Sequence, residues 1–183
     1  MEHIPTGTAG ELATALRASW EELAAAIDAS VDSWEDRTLE PEDGEADAWS
    51  PRLAAWHAIT GERIRTVYLV HILKETPSEP LDMMAFATTG VSGIDPSTLR
   101  DQFRVTKTPD EMRSIFARAR DASVALASQL RDGQLAQAAK LTAFMHEYLN
   151  SHAQSPGDDV RGVLLHGAVH LRDHARQIAV IGI

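Results

Sequence analysis

The chain contains no cysteine. That absence rules out a disulfide framework, a thiolate metal ligand and a cysteine nucleophile, so any transition-metal site must be built from imidazole and carboxylate. Also lacking is any run of about 18 apolar residues, the length needed to cross a bilayer, so no membrane is expected as a partner. Basic residues are in deficit: 17 Lys and Arg stand against 27 Asp and Glu, for a net charge of -10. Nucleic-acid binders draw affinity from clustered cations that release counterions, so DNA and RNA are not expected partners either. The start, Met1 to Gly10, has neither a basic stretch nor an apolar one and does not read as a signal peptide. A cytoplasmic protein is the resulting expectation.

What is present is ordinary for a water-soluble globular protein: 44% hydrophobic and 24% charged residues over 183 positions. This length suits one domain, 1–183, that can bury a core without staples.

Helical periodicity dominates. Leu12, Leu16, Trp20, Leu23 and Ile27 recur at steps of three or four behind a Thr8/Glu11 capping box. From Asp28 to Ala48 the chain turns acidic and includes Pro41 and Gly44, which predicts a loop, with Val31 and Trp34 extending the first helix by a turn. Ser50 as N-cap and Pro51 as first residue open a second helix to about Lys74. Its inward face carries Leu53, Trp56, His57, Thr60, Ile64, Val67 and His71. Gly61 interrupts that face, where glycine costs about 1 kcal/mol relative to alanine, so close helix approach or room for a ligand is expected there.

Residues 75–108 hold prolines, glycines and short apolar runs, which predicts a long connection with one short helix from Pro96 to Phe103. Such a connection serves as a lid or as a plain crossover. Thr108, Pro109 and Glu111 start a third helix that Gly133 is expected to stop. Leu135, Ala138, Thr142, Met145, Leu149 and His152 predict an additional helix, and the last runs from about Asp158 to Val180. Strand-like alternation and internal repeats are absent. The expected architecture is all-α, a four-helix bundle with one long crossover and an extra short helix.

Eight histidines are the candidate ligands. His166, His170 and His174 lie four apart on the last helix, each rotated only about 40° from the next. Eight residues span about 12 Å of rise, whereas zinc–imidazole bonds are about 2.0–2.1 Å, so His166 and His174 cannot easily share an ion. His170 therefore belongs to whichever pair binds, and spacing leaves His166 and His174 both open as its partner. A third ligand must come from a facing element, and His57 suits it. His71 would lie about 21 Å further along the axis. His3, His71, His146 and His152 read as ordinary surface or hydrogen-bonded histidines. The stripe taken alone also fits a polar seam.

Two motifs carry a family resemblance. Trp49-Ser50-Pro51-Arg52-Leu53-Ala54-Ala55-Trp56-His57 resembles the start of the second helix in the DinB-like (DinB/YfiT-type) metalloprotein superfamily, where Trp-Ser precedes a histidine by eight residues. Leu165 to Ile178 resembles its final helix, with histidines at four-residue steps and a glutamine, here Gln177, three residues after the last. The similarity follows helix order over nearly the whole chain. It departs at Arg176, where relatives often have glycine. The resemblance implies His57, His170 and His174 as ligands of zinc, nickel or a similar divalent ion. It leaves His166, Gly61 and Gln177 beside the ligands or lining their cavity, and it implies a possible homodimer.

It further implies a small-molecule substrate and a metal-dependent transferase or isomerase that uses an external low-molecular-weight thiol of the mycothiol or bacillithiol type. With no cysteine in the chain, the sulfur must come from outside. Arg172 and Arg176 flank the ligands and are candidates for contact with an anionic substrate group, or are plain surface arginines. Two alternatives stand beside this: metal-assisted hydrolysis with Glu62 or Asp173 as base, and a non-catalytic metal- or ligand-binding protein.

Overall fold

The structure is a computed structural model that describes residues 4, 7–36, 49–95 and 106–180. Among these residues it is all-helical, with six α-helices, short 3₁₀ turns and only isolated β-bridges. The expected short helix at 96–103 and His3 lie outside the described residues.

Helix boundaries follow local chemistry. α1 (Ala9–Ala29) opens on a capping box in which the Glu11 amide donates to Thr8 Oγ1 at 3.2 Å and the Thr8 amide to Glu11 Oε2 at 2.9 Å. A 3₁₀ turn at Val31–Ser33 follows, and Trp34 is buried with its indole N–H donating to the Lys107 carbonyl. α2 (Pro51–Glu75) begins with Ser50 Oγ accepting from the Leu53 amide. α3 (Met83–Ala87) is one capped turn within the long connection. α4 (Pro109–Gln129) opens on the Thr108/Glu111 box. α5 (Ala143–Ser151) and α6 (Val160–Ala179) are capped by Thr142 and Asp159.

Two expectations are corrected. The third predicted helix ends at Gln129 rather than at Gly133, because Leu130 adopts extended backbone and Asp132 turns back to accept from the Ala9 amide at 2.8 Å. The chain there caps α1 instead of lengthening α4. Leu135 to Leu141 is not helical despite its spacing. Its backbone pairs with the segment before α6, the Ala139 amide donating to the Asp158 carbonyl and the Val160 amide to the Gln137 carbonyl. Non-local backbone pairing outweighs the local period, and the helix forms only from Ala143.

The four long helices form the core. α1 and α2 each pack against both α4 and α6 and touch each other little, so α4 and α6 lie between them. The α1 stripe of Leu12, Leu16, Trp20, Leu23 and Ile27 is fully buried. Trp20 meets Phe116 of α4 edge-on at 4.8 Å. Met112 from α4, Ile59 and Ile64 from α2, and Val163, Leu171 and Ile178 from α6 complete the interior. Each such side chain contributes about 1.5–3 kcal/mol by leaving water, which holds α2 and α6 in fixed register. Among the described residues no helix is long and apolar enough to cross a membrane.

Candidate metal centre

α2 supplies His57, two turns in from its Ser50 cap, and α6 supplies His170 and His174, one turn apart. Packing of α2 on α6 brings one ring nitrogen from each histidine to within 4.8 Å of the others, a group that could hold a metal ion. His170 Nε2 and His174 Nε2 are 3.2 Å apart. That separation is close to the edge, roughly 3.4 Å, of a tetrahedron of nitrogens placed about 2.1 Å from zinc. The His57 ring lies 5.1 Å from His170 and 5.0 Å from His174, centroid to centroid.

The neighbouring residues set the state of these rings. Gln177 Oε1 sits 2.7 Å from His174 Nδ1 and accepts its proton, so Nε2 of His174 bears the lone pair. A bare Nε2 facing another imidazole nitrogen at 3.2 Å needs a proton or a cation between them. Buried Nδ1 of His170 has no hydrogen-bond partner, so neither tautomer of that ring satisfies both its nitrogens within the protein. Burial, reinforced by the neighbouring histidines, pushes His170 well below the ordinary imidazole pKa. Burial likewise lowers His174 to about 3, with His57 adding to the effect and Gln177 opposing it. Both rings are therefore neutral near pH 7, the form that binds metal.

Two packing features shape the cluster. Trp49, fully buried, stacks on His174 at 5.4 Å and 6°, and meets His57 at 4.9 Å and 64°. It forms an apolar wall across two of the three rings. Gly61 accounts for its own cost: a Cβ there would lie 3.3 Å from His170 Cε1, so the missing side chain is where that ring seats against α2.

His166 is buried too, but its surroundings differ. Its Nδ1 lies 2.8 Å from Arg65 Nη2, and Arg65 pairs with Glu62. Its ring lies nearly parallel to His170, 20° at 5.6 Å. Burial and the Arg65 charge hold His166 well below the ordinary imidazole pKa. Tyr148 meets His166 edge-on at 5.5 Å and donates its hydroxyl to Asp173 Oδ2 at 2.6 Å. His152 Nε2 approaches the same oxygen at 2.5 Å.

The remaining candidates fall elsewhere. Glu62 is engaged by Arg65, and Asp173 by Tyr148 and His152, so neither carboxylate considered as a hydrolytic base joins the three histidines. Arg172 pairs with Glu22 at 3.1 Å, and exposed Arg176 lies 3.8 Å from Asp173. Both line a small groove with His152, Gln154, Val169 and Asp173 that includes none of the three histidines. His71 stacks on Phe86 and His146 pairs with Asp158, as ordinary helix histidines do.

Arg65 and Tyr148 are the neighbours that sequence reasoning missed, and Trp49 entered it only as part of a motif. Gly167 carried a signal for Arg65: a Cβ there would lie 2.8 Å from Glu62 Oε2 and 3.1 Å from Arg65 Cδ. No protein family, curated protein or solved structure matches the chain.

Proposed function

We propose that this chain is a divalent-metal protein of the DinB-like kind, a four-helix bundle in which His57, His170 and His174 hold zinc or nickel. On this reading it is a transferase or isomerase acting on a small electrophilic substrate with an external low-molecular-weight thiol of the mycothiol or bacillithiol type. A single observation carries the metal assignment: three imidazole nitrogens from two helices converge within 4.8 Å, one of them with its tautomer set by Gln177. Three neutral ligands leave a divalent ion its full charge and open positions, which is the state that stabilises a bound thiolate near neutral pH.

The chain's own part is to hold the rings. Gln177 orients His174, the Gly61 seat admits His170, and Trp49 shields His57 and His174 on one side. The absence of cysteine favours an external thiol for any sulfur chemistry. The engagement of Glu62 and Asp173 by other side chains gives the hydrolytic alternative less support. On the same reading the protein is cytoplasmic, and the resemblance implies a homodimer.

Metal content of the purified protein tests the ligand set. Zinc or nickel is expected at about one equivalent per chain, and His57→Ala and His174→Ala should each weaken binding by more than about 100-fold, beyond the 10- to 100-fold typical of a supporting residue. Unchanged occupancy in both variants sinks the ligand assignment. For the activity, loaded protein should conjugate bacillithiol or mycothiol to monochlorobimane in a metal-dependent way. Failure with every thiol tried counts against the transferase, while leaving the metal site standing.

A further inference from the structure

Spacing makes two chelating pairs available on α6, His166 with His170 and His170 with His174. The geometry points to Arg65 as the positioning residue that decides between them: its guanidinium holds the His166 ring in the tautomer that cannot ligate, confining an ion to His57, His170 and His174. This rests on the metal reading above and adds the selection of ligands within it.

Hydrogen-bond inventory forces the tautomer. Arg65 Nη2 is 2.8 Å from His166 Nδ1. A guanidinium offers only donors and keeps its proton, so Nδ1 must be the acceptor. The neutral ring then carries its one proton on Nε2. A metal needs a bare nitrogen, and His166 has none available. Moving the proton to Nδ1 would set two N–H groups against each other. Turning Nδ1 to the ion would strand a guanidinium that is 1% exposed, and a buried charged group left without its hydrogen bond is strongly disfavoured.

At the other end of the stripe the partner is Gln177, whose carbonyl oxygen accepts from Nδ1 and bares Nε2. Arginine and glutamine thus impose opposite tautomers on two histidines of the same helix. Ring orientation agrees: His166 lies parallel to His170, whereas His174 stands at 81° to it with the two Nε2 atoms meeting.

Arg65 is itself held for this purpose. Glu62, one turn earlier on α2, pairs with it, and Glu62 is hydrogen-bonded to Ser123, which accepts from the Trp20 indole at 2.8 Å. Gly167, the residue after His166, leaves room for the pair. A buried ion pair is weak evidence of net stabilisation, so a selective role accounts for its position against the histidine stripe.

Long-range ¹H–¹⁵N NMR of the histidine rings in the full chain reads the tautomers directly, first without metal and then with one equivalent of Zn²⁺. His166 should show the Nε2–H pattern in both states with unchanged ring nitrogens, while His57, His170 and His174 each shift one nitrogen to a metal-bound position. An Nδ1–H tautomer at His166, or zinc-dependent movement of its nitrogens together with those of His170, overturns the role of Arg65 and leaves a metal site in place. If no imidazole responds to zinc, the metal reading fails first and takes this inference with it.

A variant series reads the selection. His174→Ala should lose zinc, and adding Glu62→Leu with Arg65→Met should restore affinity at least tenfold, a gain that His166→Ala then abolishes. No recovery in the folded variant overturns the inference. Should that variant fail to fold by circular dichroism, the wild-type spectra decide alone.

Discussion

Two polar clusters share the α2–α6 interface, and they differ in what meets their nitrogens. In one, Glu62, Arg65 and His166 pair charge with charge, and the His166 lone pair is covered by a donor. In the other, His57, His170 and His174 bring three rings together, and the Nε2 of His174 faces another imidazole nitrogen at 3.2 Å rather than an arginine. Both are histidine-containing and both lie against buried helix faces. The difference teaches that a ligand site is distinguished from a polar seam by what its ring nitrogens meet, other imidazole nitrogens or an arginine donor, rather than by residue type.

The sharpest way to break this contrast is to open the closed cluster. Arg65→Leu leaves Glu62 buried without its partner and should destabilise the fold by about 3–5 kcal/mol, whereas Glu62→Leu with Arg65→Met should be nearly neutral. Urea denaturation of the two variants measures the gap, and equal losses would show that the pair does not act as a unit. In the open cluster, Gln177→Leu frees the His174 tautomer. Zinc affinity should fall by about 10- to 100-fold with little change in folding stability. An unchanged titration would mean that Gln177 does not orient the ring.

Acidity should separate the clusters by occupancy. In the metal-free protein His174 has a folded-state pKa of about 3, below the ordinary unfolded value of about 6.5. Between those values the unfolded chain binds more protons than the native one, so stability is full above about 6.5 and falls as pH drops toward 3. The slope is at most about 1.4 kcal/mol per pH unit for each such histidine. Thermal melts across that window should show the decline. Saturating zinc should raise the melting temperature near neutral pH, with the gain fading as protons compete for the ligands.

The smallest effect should come from Gly61→Ala. The helix gains about 1 kcal/mol in propensity, while the new Cβ lies 3.3 Å from His170 Cε1 and asks that ring to move by a few tenths of an ångström. Overall stability should stay within about 1 kcal/mol of the parent while zinc affinity drops several-fold. A variant that keeps full affinity would remove the seat from the description.

Much of the architecture was legible from local signals. The caps at Thr8, Ser50 and Thr108, and the stripe from Leu12 to Ile27, depend on neighbours within one or two turns. The misread stretch, Leu135 to Leu141, takes its shape from backbone pairing with the segment before α6. At the candidate site, helix rise alone set His71 aside and kept His166 and His174 from sharing an ion. Spacing could not choose between the two, since both are one turn from His170.

The amino-acid sequence by itself determined the starts of the long helices, the donor chemistry open to a cysteine-free chain, and the stripe on which three histidines stand. Only the tertiary structure decided which of them converge. A ring's bare nitrogen depends on its hydrogen-bond partner: for His174 that is Gln177 on the same turn, but for His166 it is Arg65, 101 positions away on another helix. Packing of α2 on α6 delivers that partner together with His57, and no local period encodes it.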